Sequence, residues 1–266
     1  ILSMDTAVDA VDAQRWRDGT AEAFADEVVV EEPLTVIIRH AGAEHVLGST
    51  MRTPGDDEEL AVGMAVGERL VTERAQIVDV ERDPDCESGA RVVLHLRDDV
   101  HVDAGRLGRV STPTSACGLC GRDDLDALLE AVTRTPMPPA PPMSLLVSLP
   151  GRLLQSQYLF HRTGGLHAAG LAAADGSLVC VREDVGRHNA VDKVVGWATL
   201  NGIEPSGLVV SGRAGFEIVQ KAIVARLPAL VAVSATTSRA IAAARAAGLT
   251  LACFARDGAM TVYSPW

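Results

Sequence analysis

The sequence is poor in aromatic residues, with three Trp, two Tyr and four Phe in 266 residues. Ala, Val and Leu must therefore fill the core, although hydrophobic residues make up an ordinary 47% of the chain. That content excludes wholesale disorder. Long apolar runs are also missing. The longest nearly apolar stretch, Ala222 to Ala235, contains Arg226 and Pro228 and falls short of the roughly 18 residues of a membrane span. No basic segment opens the chain. Its first twenty residues carry Asp5, Asp9, Asp12 and Asp18, so no secretory signal is visible and a cytoplasmic protein with no membrane partner is expected. An excess of positive charge is absent as well: the net charge of -11 argues against general nucleic-acid binding. The charge is uneven, at -10 over residues 1–60, -5 over 61–150 and +4 over 151–266. The last part suits a phosphorylated small molecule.

Cysteine is scarce and odd in number. Cys86, Cys117, Cys120, Cys180 and Cys253 do not make a disulfide framework for an intracellular chain. Cys180 and Cys253 lie in apolar, strand-like runs and read as inert core residues. Proline is concentrated instead of scarce. Six of 13 fall between Pro136 and Pro150, and since proline fixes φ and lacks a donor, residues 135–150 read as an extended linker. It separates a strand-rich lobe, 1–134, from an α/β domain, 151–266.

In the first lobe, Glu27–Arg39 reads as a strand pair or one bent strand, interrupted at Pro33. Thr53-Pro54 reads as an N-cap and first residue of a helix whose Gly63 and Gly67 permit close packing. Gln76–Arg82 and Arg91–Arg97 read as strands, and Asp123–Val132 as a short helix. In the second domain, strands Leu166–Ala173 and Leu178–Glu183 flank a hairpin signal at Asp175-Gly176. A helix follows over Asn189–Leu200. Then strands Leu208–Val210, Ala229–Val233 and Leu249–Phe254 alternate with helices Ala214–Arg226 and Thr237–Ala247, a pattern whose default is a parallel sheet.

Such sheets bind ligands beyond the carboxyl ends of their strands. Those ends are Ser211-Gly212-Arg213, Ser234–Thr237 and Ala255-Arg256-Asp257-Gly258. The first two lead toward helix N-termini, which attract anions. Arg213 and Arg256 can contact phosphate, and Asp257 can accept two hydrogen bonds from a guanine edge. Ordinary caps and turns are the plainer reading, because neither G-x-G-x-x-G nor a Walker A sequence is present.

A second candidate is Thr114-Ser115-Ala116-Cys117-Gly118-Leu119-Cys120-Gly121. A zinc site needs more ligands than this pair. A zinc deaminase needs H-x-E ahead of P-C-x-x-C; no His here is followed two residues later by Glu, and Ala116 precedes Cys117. Thiol chemistry without a metal remains, as does a purely structural pair. A third candidate is Glu183-Asp184-Val185-Gly186-Arg187-His188-Asn189-Ala190-Val191-Asp192-Lys193, a density of polar groups that marks either a site or a capped helix with a salt-bridged face. Thr163-Gly164-Gly165-Leu166-His167 is a weaker fourth.

EEPL (Glu31–Leu34), MRTPGDDEEL (Met51–Leu60), TSACGLCG, TGGLHAAGL (Thr163–Leu171), EDVGRHNAVDKVVG (Glu183–Gly196) and SGRAGFEIVQKA (Ser211–Ala222) follow one another in this chain. Together they resemble the formate dehydrogenase accessory sulfurtransferases, the FdhD family, over roughly Glu31 to Tyr263. The resemblance implies a cytidine-deaminase-like mixed sheet flanked by helices, without the deaminase zinc, with no permanent metal, in a homodimer. It implies a sulfurtransferase that takes persulfide sulfur from a cysteine desulfurase and passes it to the molybdenum bis(molybdopterin guanine dinucleotide) cofactor destined for formate dehydrogenase. Cys117 matches the persulfide cysteine and Cys120 the second loop cysteine, which receives, relays or releases the sulfur. Phe254, Ala255, Arg256, Asp257, Gly258 and Ala259 match the cofactor-binding stretch. One departure is Ala41-Gly42, where the family usually has an Asn-Gly turn. The rival reading is a non-catalytic cofactor-binding chaperone whose cysteines are structural; a deaminase is the more distant one.

Overall fold

The computed structural model describes residues 4–83, 90–102 and 136–264. Two antiparallel strands, β1 (Val8–Arg17) and β2 (Thr20–Val29), form a separate hairpin. They turn at Asp18-Gly19, both at positive φ, as a two-residue turn matched to strand twist requires. β1 is a strand not anticipated from the sequence. Glu27–Arg39 reads as a strand pair or one bent strand, and two strands are found. The break falls at Val30-Glu31, ahead of Pro33, and the two do not pair: β2 ends at Val29 and β3 (Glu32–His40) begins a new sheet. Pro33 sits at the start of β3, before that strand's pairing with β6 (Ala90–Leu96) opens at Leu34, where a missing N–H is tolerated.

β3 turns at Ala41-Gly42 into β4 (Ala43–Arg52), a strand not anticipated. Ala41 takes positive φ, a conformation that Asn tolerates better. Its N–H is held by the Asp98 carboxylate at 3.1 Å. With β5 (Ile77–Asp83), these strands form a sheet ordered β4-β3-β6-β5.

Helix α1 (Asp57–Gly67) starts later than Thr53-Pro54 implied, and its N-cap, Asp56, makes no side-chain cap bond. Thr53 is engaged elsewhere: its Oγ1 accepts from the Val185 N–H at 3.1 Å and its own N–H donates to Asp184 at 3.2 Å. α1 is buried over Leu60–Val66 because it is enclosed by both halves of the chain. A Cβ built on Gly63 would overlap the Asp192 carbonyl, and one on Gly196 the Glu59 carbonyl. These glycines therefore let α1 touch the helix carrying Asp192 backbone to backbone, as the spacing around Gly63 had indicated.

The extended linker is shorter than residues 135–150. Met143–Leu146 (α2) and Leu149–Gln155 (α3) are helical, with Pro150 in the first turn of α3, where no N–H is needed. Tyr158–Thr163 (α4) follows. The second sheet is built from β7 (His167–Ala172), β8 (Leu178–Asp184), β9 (Gly207–Val210), β10 (Ala229–Ala232), β11 (Thr250–Arg256) and β12 (Ala259–Ser264). Its order is β12-β11-β10-β9-β7-β8. β9, β10 and β11 are parallel as anticipated, whereas β7, paired to β8 and β9, and β12 run antiparallel to their neighbours. Helices α5 (Arg187–Asn201), α6 (Phe216–Val224) and α7 (Ser238–Ala247) intervene.

Alternation along the strands divides the core. Leu208, Val210, Leu230 and Leu251 face a large cluster with Leu60, Val194 and Ile218, which continues to Leu34 and Val36 of the first sheet. Val209, Val231 and Ala255 face Leu146, Leu149 and Leu153. The six-stranded sheet is thus covered on both sides, and the protein is of mixed α/β class. Among the described residues, no helix is long and apolar enough to cross a membrane.

Candidate functional site

The parallel strands end at a cavity of about 590 Å³. Of the residues proposed from sequence, Ser211 after β9, Ala255 and Arg256 at the end of β11, and Asp257 line it; Gly212, Arg213, Phe254, Gly258 and Ala259 are not on its wall. The helix N-terminus expected at Ser211 is displaced, since α6 begins at Phe216. The Ser211 Oγ instead accepts from the Ala168 N–H at 2.9 Å and ties the strand end to β7. Gly212 allows His167 to approach: a Cβ there would lie 3.3 Å from its Nδ1. Asp257 and Gly258 are the positive-φ turn between β11 and β12, so Asp257 stands exposed at the mouth.

The cavity has walls that the strand-end argument missed. Leu153 and Leu154 of α3 and Phe160 of α4 supply an apolar side, and Gln157 and His167 add polar groups. The proline count hid these helices. The motif around His167 was the signal that could have found its side. Burial holds the His167 imidazole below the usual histidine range, reinforced by the nearby charges of Arg187 and His188; its ring is thereby favoured in the neutral form at pH 7.

The Glu183–Lys193 segment has a different use. Asp184, fully buried, accepts from the N–H groups of Thr53 and Gly186 and from Asn189 Nδ2, and lies 2.8 Å from Lys193 Nζ. Lys193 Nζ also donates to the Thr53 carbonyl at 2.9 Å, and Asn189 Nδ2 to the Met51 carbonyl at 2.7 Å. Asp192 receives two bonds from Lys221 of α6, and His188 lies 2.7 Å from Glu217. Glu183 accepts from the Leu159 and Phe160 N–H groups of α4. The dense polar motif is therefore a joint binding the MRTP segment to the second sheet, with Glu183, Asp184, His188, Asp192 and Lys193 each partnered within the fold. Its Val185 reaches the cavity wall.

Cys117 and Cys120 lie outside the described residues, as does the helix expected over Asp123–Val132. Cys180 and Cys253 are buried as expected, and burial pushes each thiol up to about 12.

Fold and cavity together define a mixed α/β protein with a cavity at the ends of its parallel strands. The FdhD/NarQ family model matches residues 29–265, and the chain belongs to that family. It is 45% identical over 262 residues to the "Sulfur carrier protein FdhD" of Streptomyces coelicolor, covering 94% of this chain and 91% of the relative. It is 41% identical over 254 residues to the protein of the same name from Mycobacterium tuberculosis, covering 90% of each. In fold it matches a crystal structure from Desulfotalea psychrophila, of a protein assigned as a formate dehydrogenase accessory protein, with a TM-score of 0.74, 23% identity and 97% of each chain covered.

Proposed function

We propose that this protein is a sulfur carrier in formate dehydrogenase maturation, acting as a sulfurtransferase. Cys117 thiolate attacks the terminal sulfur of a desulfurase persulfide; the S–S bond breaks, the desulfurase leaves as thiolate, and Cys117 becomes the persulfide. Cys120 then receives or relays that sulfur, or releases it by closing a disulfide. The sulfur acceptor is the molybdenum bis(molybdopterin guanine dinucleotide) cofactor, bound as substrate at the strand-end cavity, and the client is formate dehydrogenase. A homodimer with a cytidine-deaminase-like core, working in the cytoplasm, completes this reading.

The observation that carries it is the family membership, with relatives named as sulfur carriers. Incubation with a cysteine desulfurase and cysteine should add the mass of sulfur to the intact chain, reversibly by reductant. A chain whose mass stays unchanged defeats the carrier role.

Docking of the cofactor's nucleotide ends predicts that GDP binds more tightly than ADP in calorimetry. Asp257 is the candidate guanine contact. Because it is exposed at the mouth, where water competes, Asp257→Ala should weaken GDP by about tenfold, near the lower bound for hydrogen bonds to charged groups. Equal affinity for both nucleotides in the unmodified protein would refute guanine selectivity.

A further inference from the structure

The cavity contains a polar group for which the fold supplies no partner. Gln157 is 3% exposed and lines the cavity. Its backbone is engaged, the N–H donating to the Leu154 carbonyl and the carbonyl accepting from the His161 N–H. Its side-chain amide has no hydrogen-bond partner among the described residues. The amide is not sealed in the core: it opens onto the cavity, so a group entering there can meet it directly.

Its position explains why the amide faces the cavity. Gln157 is the N-cap residue of α4 but makes no cap bond, although a short side chain at this position normally accepts from the first-turn N–H groups. Glu183 performs that task from β8, its two oxygens accepting from Leu159 N at 2.9 Å and Phe160 N at 2.8 Å. The N-cap side chain is thereby left to the cavity, beside the apolar Leu153, Leu154 and Phe160. A mostly apolar wall with a few placed polar groups is how small-molecule pockets fix the orientation of a ligand.

An amide presents a donor and an acceptor side by side. Its complement is a planar edge offering an acceptor next to a donor, with ring faces suited to apolar walls. We propose that Gln157 is the buried anchor for such a heterocyclic edge, the 2-amino-4-oxo edge that guanine and pterin rings share. This rests on the cofactor-docking reading above and identifies the residue that holds the ring. Asp257, exposed at the mouth, is then an outer contact.

The test uses the full chain and calorimetry with two separate probes, GDP and 6-hydroxymethylpterin, on the unmodified protein, Gln157→Met and Gln157→Leu. Both substitutions remove the amide, Met with little change of shape. Binding of the ring that occupies the cavity should weaken at least tenfold, while the ligand-free melting temperature stays level, since the amide makes no bond within the fold. Loss for GDP alone assigns guanine to the cavity, and loss for the pterin alone assigns the pterin. Unchanged affinity for both probes overturns the anchor, even if GDP selectivity holds. A fall in melting temperature with both variants also overturns it, by assigning Gln157 to the fold. If the unmodified protein binds neither probe, the docking reading itself fails, and the anchor with it.

Discussion

Cys117→Ala should abolish sulfur loading, leaving intact mass unchanged after incubation with a desulfurase and cysteine, and should leave formate dehydrogenase inactive in cells that depend on this protein. The nucleophile in sulfur exchange is the thiolate. Cys180 and Cys253 are buried, and burial pushes their thiols up to about 12, so at pH 7 each stays overwhelmingly in the unreactive thiol form. Neither can carry the exchange at a useful rate. Cys117 and Cys120 stand in sequence among glycines, outside the apolar runs that hold the other two. Cys180→Ala and Cys253→Ala should therefore load sulfur normally, although each opens a core gap and costs stability. Cys120→Ala should lower turnover. Full activation of formate dehydrogenase by Cys117→Ala would end the persulfide assignment.

The second sheet was readable from sequence where one physical signal dominated. Apolar runs of four to seven residues between glycine-capped helices could only be buried strands, so β9, β10, β11, α6 and α7 lie within a few residues of their expected places. The Asp175-Gly176 turn joined β7 to β8 as its chemistry required. Reading failed where one residue served two purposes. Thr53-Pro54 has the pattern of a helix start, but Thr53 bonds across the molecule to Asp184 and Val185, a tertiary use that no local pattern reveals. Prolines marked 135–150 as extended, yet Pro150 lies in the first turn of α3, which tolerates it. The strand ends showed half of the cavity. Its other half comes from α3 and α4, and Gln157 there carries no motif; only its burial without a partner distinguishes it. The charged run Glu183–Lys193 could signify either a site or a scaffold until distances were known, because the same residue types serve both.

Those distances make Lys193 a position where one substitution should cost much of the fold's stability. Lys193 is 1% exposed and Asp184 is 0% exposed, with their charged atoms 2.8 Å apart. Lys193→Met keeps the stem's length but leaves a buried carboxylate without its cation. Breaking such a pair from one side costs about 3–5 kcal/mol, a large share of the 5–15 kcal/mol that holds a typical domain folded. The chemical-denaturation midpoint should fall accordingly. Replacing both partners, Asp184→Leu with Lys193→Met, removes the stranded charge, and an isolated buried pair would then be nearly neutral. Here recovery should be only partial. Asp184 also accepts from the N–H groups of Thr53 and Gly186, and these lose their acceptor in the double variant. A double variant as stable as the unmodified protein would show that the joint is an ordinary ion pair. Partial recovery would show that the carboxylate's backbone bonds hold the MRTP segment against β8. Because Val185, adjacent to Asp184, lies on the cavity wall, the same single variant should also weaken GDP binding at temperatures where it remains folded.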